Sequence, residues 1–118
     1  MKLAVVAALV LASAGLAQAS PAPSRLQVGA REYSLTLSRL HVQAGAAIVE
    51  LVDLGQDPHN LRLQRTGSRH IAGIGVATPG GHIDLALKLK PGRYLLWCSL
   101  GDHRARGMRA TLVVTAAR

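Results

Sequence analysis

The chain has 118 residues, 49% of them hydrophobic, and this length favours a single domain. Fourteen Lys and Arg residues outnumber six Asp and Glu residues, which gives a formal net charge of +8. Cys98 is the only cysteine, so an internal disulfide is excluded. A lone thiol of this kind is either a buried inert side chain or a group that a ligand occupies.

The N-terminal residues have the pattern of a secretory signal peptide. Lys2 supplies a positive charge, residues 3–16 form an uncharged apolar stretch, and Ala17-Gln18-Ala19 reads as a cleavage site. The apolar stretch is shorter than the roughly 20 residues of a transmembrane helix. We therefore predict a signal peptide over residues 1–19, with export to the periplasm or the extracellular space. An uncleaved N-terminal anchor is the alternative.

The next segment, residues 20–24, reads Ser-Pro-Ala-Pro-Ser and predicts a short flexible leader before a domain over residues 25–118. Removal of Lys2 with the signal peptide would lower the net charge to +7. In an exported protein this charge does not indicate nucleic-acid binding. It suits an acidic protein partner or peripheral contact with an anionic membrane surface, although solubility alone explains it equally well. We predict a monomer.

Most of the domain alternates apolar and polar residues with a period of two, which is typical of strands in an antiparallel sandwich or barrel. The clearest case is residues 83–90, which end at a Pro91-Gly92 turn. Strands are predicted around residues 34–38, 46–54, 61–64, 83–90, 94–98 and 111–115. No stretch after the leader has the periodicity of a helix.

A glycine-rich segment, residues 66–81, interrupts this pattern with five of the 12 glycines. It predicts a long connection that contains an edge strand over residues 70–76.

One predicted loop contains three residues that can bind a metal ion. Cys98, His103 and Met108 recur at intervals of five between two predicted strands, so the loop can turn all three side chains toward one point. A turn at Asp57-Pro58 delivers His59 to the start of another strand, which can lie beside that loop. Two imidazoles, one thiolate and a weak thioether form the donor set of a blue-copper electron-transfer site. The sequence therefore predicts one copper ion bound by these four residues.

These motifs resemble the cupredoxin family of plastocyanins, pseudoazurins and sulfocyanin-like proteins. The likeness rests on His59-Asn60, on the Cys98, His103 and Met108 loop, and on the turn over residues 90–94. It implies an all-β Greek-key sandwich of about seven or eight strands, with copper at one end. It also implies that Asn60 ties the His59 segment to the Cys98 loop. Residues 100–102, Leu-Gly-Asp, depart from the Pro and Gly that many relatives have there, which predicts a looser loop.

The resemblance implies a non-enzymatic carrier of single electrons, with His103 as the electron port and a redox protein as partner. A carrier or resistance protein that sequesters or delivers copper is the alternative, because the ligand set alone does not separate the two. A multicopper oxidase or nitrite reductase is disfavoured because the chain is short and has no second His beside Cys98. A metal-free binding module on the same fold remains a further alternative.

Three arginines surround the loop histidine. Arg104, Arg106 and Arg109 predict a basic docking rim on the face where electrons would leave, although they could equally be solvated charges. The other histidines have no partners at ligand spacing and are predicted to be surface or structural residues: His41, His70 and His82. Trp97 is predicted to pack in the core.

Overall fold

The computed structural model describes residues 1–17 and 19–117. The predicted cleavage motif includes Gln18 and the predicted domain ends at Arg118, and both residues lie outside the described ranges. Residues 1–17 and 19–23 have no regular secondary structure. Ser24, the last residue of the predicted leader, is already the first residue of a strand.

Within the described residues, nine strands and one short helix form the domain. They are β1 (Ser24–Arg31), β2 (Ser34–Leu37), β3 (His41–Gln43), β4 (Gly45–Asp53), β5 (His59–Arg65), β6 (Ile71–Ala77), β7 (His82–Leu89), β8 (Gly92–Trp97), α1 (His103–Arg106) and β9 (Arg109–Thr115).

The strands form two separate sheets. One has the order β2-β1-β4-β7 and the other has the order β3-β9-β8-β5-β6. Two neighbouring pairs are parallel, β1 with β4 and β3 with β9, and the remaining pairs are antiparallel. The predicted all-β sandwich is therefore confirmed, and the barrel alternative is wrong because both sheets keep open edges.

Two details of the sequence prediction need correction. The described residues contain nine strands rather than about seven or eight, because β3 is only three residues long and too short to show a pattern. The helix α1 was not predicted, since a single turn of four residues has no measurable periodicity. The edge strand inside the glycine-rich segment is present as β6, at the end of the second sheet.

The core lies between the two sheets, where the alternating side chains meet. Strand β7 has the predicted alternation, with its odd-numbered residues turned inward and its even-numbered residues exposed. The most buried apolar side chains come from both sheets and include Val28, Val49, Leu51, Leu61, Leu96 and Leu112, each 0% exposed. Full burial of such a side chain contributes roughly 1.5–3 kcal/mol. This core fixes the strand ends that carry the functional loops.

Three neighbouring strands of the second sheet bring the candidate ligands to one end of the sandwich. Arg62 of β5 pairs with Trp97 of β8, which in turn pairs with Arg109 of β9. His59 begins β5, Cys98 follows β8 directly, and the loop carrying His103 connects β8 to β9.

The described part of the chain contains no helix that is both long and apolar enough to span a membrane.

Candidate metal centre

Three of the predicted ligands converge in space. One ligand atom from each of His59, Cys98 and His103 lies within 4.8 Å of the others. The Cys98 Sγ atom is 3.5 Å from Nδ1 of His103. The two imidazole rings have centroids 5.1 Å apart and are tilted by 57°. His59, which is 39 positions from Cys98 in the sequence, therefore joins Cys98 and His103 in one cluster of nitrogen and sulfur donors.

Three of the four candidate ligands are shielded from solvent. His59, Cys98 and Met108 are each 0% exposed. His103 is partly exposed, so its ring is the part of the cluster that reaches the surface. Nδ1 of His59 is buried and has no hydrogen-bond partner among the described residues. An unsatisfied buried polar atom costs about 1–3 kcal/mol. A bound metal ion would satisfy it.

The backbone of Met108 is hydrogen-bonded to two of the other candidate ligands. Its backbone N–H donates to the carbonyl oxygen of His103 at 3.0 Å, and its own carbonyl accepts from the N–H of Cys98 at 3.1 Å. The preceding Gly107 has φ of 128°, and a Cβ atom there would lie 2.8 Å from the carbonyl oxygen of Tyr33. Only glycine fits this position, and it lets the loop pack against the β1–β2 turn.

Asn60 bridges the His59 segment and the Cys98 loop. Its Oδ1 accepts from the backbone N–H of Ser99 at 2.8 Å, and its Nδ2 donates to Ser99 Oγ at 2.9 Å. The tie implied by the family resemblance is thus present in the structure. The bridge joins Asn60, which follows His59, to Ser99, which follows Cys98.

Two carboxylates that sequence reasoning missed lie behind His59. Glu32 Oε1 is 2.8 Å from His59 Nε2, and Asp53 Oδ1 is 4.0 Å from the same nitrogen. Backbone N–H groups of Asp57 and Gln56, together with the His59 imidazole, lower the pKa of Glu32 to about 2. Asp53 is fully buried, and its Oδ2 has no partner among the described residues. Glu32 is 27 residues from His59, and no local motif links them.

The three arginines of the predicted rim are exposed, and each guanidinium group contacts a neighbouring residue. Arg104 stacks over Trp97 at 4.5 Å and Arg106 over the ring of Tyr33 at 4.8 Å. The Nη1 atom of Arg109 donates to the carbonyl oxygen of Arg104 at 3.3 Å. These contacts hold the cationic groups beside the loop that bears His103.

Asp102 forms an ion pair with Arg106, with 2.7 Å between Oδ2 and Nε. The hydrogen bond from Arg106 lowers the pKa of Asp102 below its ordinary value. Because this pair is neutral as a unit, the net positive charge of the rim comes from Arg104 and Arg109.

The remaining histidines take no part in the cluster. His41, His70 and His82 are exposed. Trp97 is 7% exposed, but the prediction that it packs in the core is wrong. The core cluster contains its neighbours Leu96 and Cys98 and not Trp97, whose ring is covered by Arg104. Tyr33, which sequence reasoning did not single out, lies edge-on to His103 with ring centroids 5.6 Å apart.

The structure resembles solved copper proteins. Auracyanin A, a "blue" copper protein from Chloroflexus aurantiacus, is 16% identical over 80% of this chain and 100% of its own length, with a TM-score of 0.64. A Cu(I) form of an amicyanin variant is 19% identical over 80% of this chain and 85% of its own, with a TM-score of 0.58. The chain has the cupredoxin fold. No family model and no curated protein sequence matches it.

The cupredoxin fold also occurs in larger proteins. A multicopper oxidase is 17% identical over 78% of this chain, with a TM-score of 0.58. The match spans only 42% of the oxidase. The fold alone therefore does not distinguish a small electron carrier from one domain of an oxidase. That distinction depends on the residues of the site.

Those residues fit copper. A thiolate and two imidazoles with a thioether nearby are soft or borderline donors, which select copper over hard cations such as Mg²⁺ or Ca²⁺. Nδ1 of His59 has no partner among residues 1–17 and 19–117, and Cys98 Sγ lies 3.5 Å from His103 Nδ1, so that donors from all three residues are available at one point. No carboxylate belongs to the three-residue cluster found among the described residues.

Proposed function

We propose that the chain binds one copper ion through His59, Cys98, His103 and Met108 and transfers single electrons between protein partners. The observation that carries this proposal is the convergence of a buried thiol, a buried imidazole and a partly exposed imidazole. Nδ1 of the buried imidazole has no hydrogen-bond partner in the described part of the chain. Copper at this point would supply one-electron chemistry between Cu(I) and Cu(II).

The surrounding residues suit electron transfer because they keep the ligand positions fixed. Asn60 holds the two ligand segments together, and the backbone of Met108 bonds to both Cys98 and His103. Burial of Cys98 excludes water from the thiolate. The partly exposed edge of His103 is the short route between the site and a docked partner.

The same features argue against an enzyme. Cys98 is 0% exposed among the described residues, as are His59 and Met108, which argues against direct access of a substrate to the sulfur. The residues on either side of Cys98 are Trp97 and Ser99, so no histidine stands beside the thiolate to connect a second copper centre. We therefore propose a carrier rather than an oxidase.

Export and an acidic redox partner complete the proposal. Lys2, the apolar residues 3–16 and the small residues around Ala19 support secretion. Arg104 and Arg109 beside His103 support a partner with an acidic docking face. Intact-mass measurement of secreted protein tests export: a chain beginning at Ser20 agrees with it, and a chain retaining Lys2 contradicts it.

Redox cycling separates the electron carrier from a copper-delivery protein. An electron carrier keeps its metal through repeated oxidation with ferricyanide and reduction with ascorbate, in the presence of a Cu(I) chelator such as bathocuproine disulfonate. Rapid loss of copper to the chelator in the first reduced state would instead indicate copper delivery.

A further inference from the structure

We infer that Glu32 is a positioning residue for the metal centre, which holds His59 in the tautomer and orientation that leave Nδ1 free to bind the ion. The inference deepens the proposed function and rests on it, since Nδ1 is taken as the atom that meets the metal. Glu32 lies at the β1–β2 turn, far from the candidate ligands in sequence.

The carboxylate of Glu32 is itself held in place. Both of its oxygens accept from the backbone N–H of Gln56 at 3.0 Å, and Oε1 accepts from the N–H of Asp57 at 2.7 Å. The same Oε1 lies 2.8 Å from His59 Nε2. One carboxylate therefore connects the turn between β1 and β2 to the loop that leads into His59.

The tautomer of His59 follows from these contacts. A carboxylate can only accept, so Nε2 of a neutral imidazole next to it must carry the proton and donate it. Nδ1 then holds the lone pair, which is the form that binds a metal. Nδ1 is buried without a partner among the described residues. A carboxylate behind a ligand histidine fixes the ring and raises its basicity.

Gly55 leaves the space that the Glu32 carboxylate occupies. A Cβ atom at position 55 would overlap the carboxylate oxygens of Glu32. The N–H of Gly55 donates to Asp53 Oδ1 at 2.9 Å, which holds this glycine beside the carboxylate. The loop that leads into His59 therefore packs around the Glu32 carboxylate. The position of this carboxylate is set by contacts with the loop backbone.

Two variants separate hydrogen bonding from charge. Glu32→Ala removes both, whereas Glu32→Gln keeps an oxygen that can accept from His59 Nε2 and removes the charge. Glu50→Ala and Glu50→Gln are the matched controls, because Glu50 also has a hydrogen-bonded carboxylate, accepting from Gln27 Nε2 at 2.8 Å, in the β1–β4 pairing.

The first readout uses the metal-free protein. Long-range ¹H–¹⁵N correlation spectra assign the tautomer of each histidine ring. We expect the Nε2–H tautomer for His59 in the wild type and in Glu32→Gln, and a mixture in Glu32→Ala. An Nδ1–H tautomer in the wild type would overturn the inference directly, even if Glu32→Ala fails to fold.

The second readout uses copper. Competition titration should give a loss of affinity of about 10–100-fold for Glu32→Ala, within the range for groups that orient a metal ligand. We expect the affinity of Glu32→Gln to stay within a few-fold of the wild type, and no change for either Glu50 variant. Equal affinities for wild type and Glu32→Ala would overturn the inference.

Failure of the inference is distinguishable from failure of the proposed function. A wild-type protein with the intense visible band of a copper thiolate, together with an unaffected Glu32→Ala variant, would overturn the role of Glu32 and leave the proposed function standing. A wild-type protein without that band would overturn the proposed function, whereas the tautomer of His59 in the metal-free protein would still decide whether Glu32 positions the ring.

Discussion

Asn60 and Ser99 are joined by two hydrogen bonds. The backbone N–H of Ser99 donates to Asn60 Oδ1 at 2.8 Å, and Asn60 Nδ2 donates to Ser99 Oγ at 2.9 Å. Asn60 is 3% exposed, so water does not compete for its amide. Because Asn60 follows His59 and Ser99 follows Cys98, this pair sets the spacing of two candidate ligands.

Loss of this bridge should destabilise the metal-free protein. Asn60→Ala removes both hydrogen bonds and leaves the Ser99 N–H without its partner, so we expect a loss of about 1–3 kcal/mol. Ser99→Ala keeps the backbone bond and should cost no more than about 0.5–1.5 kcal/mol. Urea unfolding of the two variants measures the difference. Equal losses would mean that the backbone bond to Asn60 adds nothing.

Met108 should tune the reduction potential rather than hold the metal. Met108→Leu keeps a buried apolar side chain of similar size, so copper should remain bound. The potential should rise, because the weak donation of the thioether to Cu(II) is lost. Met108→Gln should lower the potential, since a harder oxygen donor favours Cu(II). Voltammetry of both variants tests the assignment, and identical potentials would reduce Met108 to a packing residue.

The rim around His103 should make electron transfer to an acidic partner sensitive to salt. The Debye length falls from about 30 Å at 0.01 M to about 8 Å at 0.15 M ionic strength, so attraction by Arg104 and Arg109 is screened. Stopped-flow oxidation of the reduced protein by an acidic redox protein should therefore slow steeply with salt. The double variant Arg104→Gln, Arg109→Gln should flatten this dependence.

The control for the rim is Lys88→Gln, Lys90→Gln, which changes the net charge equally. Both lysines are exposed and flank Leu89, which pairs with Gly45 at the start of β4. Asp53, which lies near His59, is at the opposite end of β4. The two lysines are therefore at the end of the sandwich away from the candidate metal centre. If both double variants flatten the salt dependence equally, the partner responds to net charge and the rim has no specific role.

The low pKa of Glu32 should appear in the stability of the metal-free protein. Hydrogen bonds from the N–H groups of Asp57 and Gln56 lower it from the ordinary 4.5 to about 2. The folded state therefore gains stability from the carboxylate above about pH 4.5, and this gain is lost as the pH falls toward 2. Urea unfolding should show the advantage of wild type over Glu32→Gln narrowing across that window. A constant difference would contradict the lowered pKa.

The sequence was informative wherever a local pattern carries the structure. The alternation of residues 83–90 predicts β7, because one face of that strand meets the core and the other meets water. The spacing of Cys98, His103 and Met108 predicts a site on a loop, because Cys98 directly follows β8 and Met108 directly precedes β9. His59 is predicted as a ligand because a turn at Asp57-Pro58 precedes it and because the donor set requires a second imidazole.

The parts that sequence could not reveal depend on contacts between distant segments. Glu32 reaches His59 only because β1 and β4 run parallel, which places the ends of both strands at the same end of the sheet. Tyr33 meets His103 and Arg106 through the same turn. A single sequence has no periodicity or spacing that links such residues, so the carboxylates behind His59 were found only in the structure.

A visible absorption spectrum of the copper-loaded, oxidised protein tests the central claim most directly. Because Cys98 and His59 are buried together and His103 lies beside the sulfur, Cu(II) bound there should give an intense thiolate-to-copper band at one copper per chain. Cys98→Ala should remove that band. A colourless protein with stoichiometric Cu(II), or a Cys98→Ala variant that keeps both colour and affinity, would contradict the account.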